Sequence, residues 1–69
     1  MTMKTFQIRV LLEKEDLDKK IEKLRDFSGT DLFERLSHEE QNRMRDQWCF
    51  MRSYSRILGE RIAAFEVDP

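Results

Sequence analysis

"MRDQWCFMRSYSRILGERIAAF", residues 44–65, decides the fold. Placed on a helix at about 100° per residue, Met44, Trp48, Met51, Ser55, Leu58, Ile62 and Phe65 align as one continuous seam. Gln47, Phe50, Tyr54, Ile57, Arg61 and Ala64 form a second strip on one flank of it. Seam and strip together cover an arc of about 200°, against the roughly 100° that faces a single partner helix. One neighbouring helix therefore buries the seam and leaves the strip. Large contiguous apolar patches are uncommon on monomers, so the strip predicts a further subunit.

The neighbour comes from the first half of the chain. Phe6, Val10, Leu17, Ile21, Leu24 and Phe27 recur at helical spacing, with Glu13 the one charged residue in the series. The alternation from Phe6 to Val10 also reads as a short strand or extended arm, but the pattern continues in phase into Leu17. Pairs such as Glu15–Lys19, Asp16–Lys20 and Glu22–Arg25 lace the outer side. The first helix is expected over about 5–28, ended by Ser28-Gly29, with Gly29 in the left-handed position after a terminus. In the connection, 29–37, Thr30 caps a single turn from Asp31 to Arg35. Ser37-His38-Glu39-Glu40 reads as a capping box, the serine accepting a backbone N–H while Glu40 reaches back, with Leu36 placed as a staple. It opens a second helix over about 38–66, with His38 exposed in its first turn. The fold class is all-α: one domain, 1–69, an antiparallel two-helix hairpin with a short helical turn in its connection, assembling as a homo-oligomeric bundle.

Composition agrees. Hydrophobic and charged fractions are equal at 39%, and two glycines and one proline leave few breakers. A chain of 69 residues rarely builds a self-sufficient core. The lone Cys49 cannot form an internal disulfide, and one His with one Cys does not make a zinc site. Self-association is the remaining common remedy. A net charge of −1 selects neither nucleic acid nor membrane as partner. No apolar run approaches the ~18 residues of a membrane span, and no signal peptide is visible, so a cytoplasmic location is expected.

No P-loop, glycine-rich cradle or paired-carboxylate signature occurs. Cys49, read as a small, partly buried residue, has no evident base or oxyanion site beside it. The protein is therefore expected not to be an enzyme and to need no cofactor. Arg45, Arg52 and Arg56 fall on the far side of the second helix as a solvated face, whereas Arg43 and Arg61 lie inside the apolar arc. Gln47, Tyr54 and Arg61 follow one another at heptad spacing, a polar line along the expected interface. Such a line suits a hydrogen bond or ion pair to another subunit, with Glu13 or Glu60 as the carboxylate for Arg61. It also suits a ligand between subunits, where arginine clamps a phosphate and tyrosine stacks on a base.

"RVLLEKEDLDKKIEKLRDF", residues 9–27, followed by the spacing Gln47-x3-Met51-x2-Tyr54-x3-Leu58-x2-Arg61-Ile62, resembles small bacteriophage proteins of the crAss-like-phage-related family. Those in turn are similar to the helical-hairpin domain of phage anti-CBASS and anti-Thoeris sponges. The resemblance implies a non-enzymatic oligomer that holds a cyclic nucleotide or related phosphate signal between subunits, in the host cytoplasm. Only the general site carries over, polar groups at a helix–helix subunit interface, which here means Gln47, Tyr54 and Arg61. The alternative is a small helical adaptor or inhibitor whose second strip docks another protein without a small ligand.

Overall fold

The computed structural model describes residues 3–66. The expected domain, 1–69, reaches beyond the described residues at both ends. The described residues are helical with no strand: α1 spans Thr5–Ser28, α2 Asp31–Glu34 and α3 His38–Ala63, followed by a 3-10 turn at Ala64–Glu66. The two long helices pack against each other. Phe6 near the start of α1 meets Phe65 beyond the end of α3, ring centroids 6.0 Å apart and edge-on, so the pair is antiparallel. The N-terminal alternation does not make a strand: α1 begins at Thr5.

The seam of α3 does what its pattern predicts. Leu58 is fully buried, Ser55 is buried, and Met51, Ile62 and Phe65 pack around a core of Val10, Leu17 and Leu58. On α1, Val10 and Leu17 are buried and Ile21 packs against them, as the apolar series predicts; only its N-terminal members shift by one residue. Gln7 is buried where Phe6 was expected, and Phe6 is half exposed. The exchange costs little because the Gln7 side-chain oxygen accepts the Lys4 backbone N–H at 2.9 Å, satisfying a donor that the helix start leaves free. Lys14, in turn, takes the seam position next to the expected Glu13, which is exposed.

The connection is held by side chains. Thr30 Oγ1 accepts the Phe33 N–H at 3.3 Å, and Ser37 Oγ accepts the Glu40 N–H at 3.1 Å. The reciprocal half of the capping box does not form, because the Glu40 carboxylate accepts instead from Arg43 at 2.8 Å. The position a staple would use on α3 belongs to Gln41, whose amide N–H groups reach the carbonyls of Phe33, Leu36 and Glu34 at 3.0, 3.2 and 3.3 Å. It satisfies orphan carbonyls at the end of α2. Gly29 has φ −94°, so the expected left-handed turn is absent; its N–H and that of Thr30 continue the helical bonding to Asp26 and Phe27.

The molecule is a rod, 51 × 14 × 14 Å, with a radius of gyration of 15.7 Å, where a compact chain of this length has about 11 Å. A rod of two helices buries one seam and leaves both flanks open. Ile8, Leu11, Leu12, Phe50, Tyr54 and Ile57 are all more than a third exposed. No helix among the described residues is long and apolar enough to cross a membrane.

Candidate functional site

Two lines of residues at heptad spacing run along α3: Gln47, Tyr54 and Arg61 on one, Arg45, Arg52 and Gly59 on the other. Positions two apart on a helix lie about 200° apart. The lines therefore occupy opposite flanks of the seam.

On the first flank, Gln47 borders a shallow groove of about 340 Å³ shared with Met51 on α3 and with Lys20, Lys23, Leu24 and Phe27 on α1. Its amide makes only a weak contact to Met51 Sδ at 3.8 Å, leaving most of its hydrogen-bonding capacity open. The face continues through Phe50, 75% exposed, Tyr54, 43%, and Ile57, 48%, to the exposed Arg61. One helical turn rises about 5.4 Å, so Gln47 and Arg61 stand about 21 Å apart and no small ligand touches both on one chain. Among the described residues, Lys20, Lys23 and Arg61 are in no ion pair. Of the two carboxylates expected for Arg61, Glu60 binds Arg56 within α3, and Glu13 is exposed on α1 without an ion pair among the described residues. The sequence reading paired Lys20 with Asp16, an ion pair that does not form among the described residues, and placed neither lysine at the site, because only packing brings α1 beside Gln47.

On the second flank, Lys14 Nζ donates to Asp18 Oδ2 at 2.8 Å and to Ser55 Oγ at 3.0 Å, and Ser55 Oγ donates to Asp18 Oδ1. Hydrogen bonds from Lys14, then from Ser55, hold the Asp18 carboxyl below the usual carboxylate range. This cluster explains why the seam of α3 carries a serine: its hydroxyl receives a lysine that crosses from α1. The lysine stem runs beside Gly59, where a Cβ would sit 3.4 Å from Lys14 Cε, an ordinary contact. Toward the connection, a cavity of about 270 Å³ opens between Leu24 and Arg25 of α1, Phe33 of α2, and Met44, Arg45 and Trp48 of α3. The Arg45 guanidinium lies 5.6 Å from the Phe33 ring centre, and that of Arg52 lies 4.6 Å from the Trp48 ring centre. These arginines do not simply point into solvent, as sequence alone suggested. The signal for one was available: Trp48 and Arg52 are i and i+4. The expected Glu22–Arg25 pair is replaced by Arg25–Asp26 at 3.5 Å. Cys49 is exposed rather than partly buried.

The family model Sequestin matches residues 4–64. The chain belongs to the Sequestin family. The match runs from the cap of α1 past the end of α3, so both flanks lie inside it. The family name is that of a sequestering protein, which agrees with the sponge-like reading of the sequence. No curated protein and no solved structure matches the chain.

Proposed function

We propose that this member of the Sequestin family is a non-enzymatic, phage-type binding protein that self-assembles and sequesters a nucleotide immune signal in the host cytoplasm. The observation that carries the proposal is the flank of Gln47, Tyr54 and Arg61, where exposed aromatic and apolar groups stand among the cations Lys20, Lys23 and Arg61. That combination suits a ligand with flat bases and phosphates. On one chain the flank is open and its polar groups are too far apart to enclose such a ligand. A second copy packed antiparallel, with Tyr54 at the two-fold axis, brings Arg61 of each chain to the Gln47 groove of the other. An isologous contact of this kind repeats the site twice. It also covers Phe50 and Ile57.

A second reading keeps the assembly surface but gives it to a different protein, as an adaptor or inhibitor. Its support is Phe50, 75% exposed, which offers apolar area that a phosphate ligand does not use.

The test is sedimentation together with calorimetric titration against a panel of cyclic di- and trinucleotides and ADP-ribose-type signals. Sequestration predicts an assembly larger than a monomer and saturable heat from at least one compound. Arg61→Ala then keeps the assembly but loses roughly ten- to a hundredfold in affinity, the worth of a charge-assisted hydrogen bond at about 1.5–3 kcal/mol. Assembly without heat from any compound favours the adaptor. A well-folded monomer that binds nothing overturns both readings.

A further inference from the structure

We infer that the cavity between the connection and the two long helices is a second binding site, on the flank opposite Tyr54, that takes one aromatic ring carrying a phosphate, as in a nucleoside monophosphate unit. This goes beyond the site proposed above, because it lies within one chain and requires no second copy.

The inference rests on what lines the cavity. Its walls are flat or flexible apolar groups: Phe33, Trp48, Met44 and Leu24. Phe33 is held rigidly, 4% exposed and edge-on to Phe27 at 6.1 Å. The polar side chains of the lining offer donors and no carboxylate: Arg25, Arg45, the hydroxyl of Ser28 and the indole of Trp48. The Ser28 hydroxyl already donates to the Arg25 carbonyl at 2.6 Å. Trp48 Nε1 is buried and has no hydrogen-bond partner among the described residues. A buried donor left unmade is costly, and no carboxylate of the lining meets this one.

The arginines call for an anionic partner. Arg45, stacked on Phe33, is in no ion pair among the described residues. Arg25 meets Asp26 at 3.5 Å, with both side chains well over half exposed, so that pair is weak and readily displaced by a stronger anion. Stacking on an aromatic ring orients a guanidinium for bidentate contact with phosphate oxygens. The volume, about 270 Å³, lies just under the usual range for small-molecule pockets, which begins near 300 Å³. It suits one ring and its anionic group rather than a whole cyclic dinucleotide.

The chain contains a single tryptophan, so emission excited selectively at the indole reports on the surroundings of Trp48. The experiment titrates the full chain with AMP, GMP, UMP, adenosine and inorganic phosphate, reading Trp48 emission and the indole N–H resonance. The expected result is a saturable change with at least one monophosphate, and at least tenfold weaker responses to adenosine and to phosphate alone. Arg45→Ala should weaken the response roughly ten- to a hundredfold. Arg25→Gln leaves Arg45 on the Phe33 ring and should weaken the response as well, which keeps the test decisive where Arg45→Ala disturbs packing. Arg61→Ala, on the other flank, should leave it unchanged, which separates failure of this site from failure of the subunit-interface site. No response to any monophosphate overturns the proposal. So does an adenosine response equal to that of AMP, or a response untouched by both arginine substitutions.

Discussion

The two flanks of the hairpin are built from the same helices yet differ in relief. On the Tyr54 flank the side chains form an exposed ridge beside the seam, with Phe50 at its crest. On the Arg45 flank the single turn of α2 inserts Phe33, and the helices, the ring and Trp48 enclose a hollow. The cations differ in kind as well. Lys20, Lys23 and Arg61 stand along the ridge, while Arg25 and the ring-stacked Arg45 line the hollow. A ridge offers contact to a large complementary surface; a hollow offers enclosure to a small one.

The largest expected effect removes what the flanks share. Leu58→Ala empties the fully buried centre of the seam and should cost about 2–5 kcal/mol. A thermal melt followed by circular dichroism should then show both flanks lost together. Phe50→Glu breaks only the ridge: it places a charge where a subunit is expected, so sedimentation should show dissociation while helicity and the Trp48 emission stay intact. If emission changes as much as assembly does, the flanks are not independent.

Smaller effects sharpen the second flank. The Asp18 carboxyl is held below its ordinary value of 3.8 by Lys14 and Ser55. A depressed folded-state value adds stability that is present above 3.8 and is lost as pH falls through and below it. Unfolding midpoints should therefore drop in acid below about pH 4, and Asp18→Asn should reduce that part of the pH dependence. Because Asp18 and Lys14 are both substantially exposed, the effect is modest. Smallest is Gly59→Ala. Glycine inside a helix costs up to about 1 kcal/mol relative to alanine, but the new methyl meets the Lys14 stem. A small gain with the Lys14–Ser55 bond kept is expected, read as a slightly raised midpoint.

Much of this was legible in the sequence. Met51, Leu58 and Ile62, seven and then four residues apart, define a seam whatever packs on it, and Thr30 and Ser37 mark helix starts because a side-chain oxygen there satisfies a backbone donor locally. Other local expectations failed where a competing partner was nearer. Glu40 met Arg43 rather than the backbone, and Gln41 took the place of an apolar staple. Phe6 and Gln7 exchanged places because the Gln7 side chain caps the helix start by accepting the Lys4 N–H.

Sequence by itself determined the helices, their ends and the excess of apolar surface over what one hairpin hides, since periodicity and capping act within a few residues. Tertiary structure alone decided which cations stand together. Lys20 and Lys23 join Gln47, Lys14 reaches Ser55, and Arg25 and Arg45 line one cavity with Phe33, because side chains far apart in the chain meet only once the rotation of each helix about its axis is set by packing.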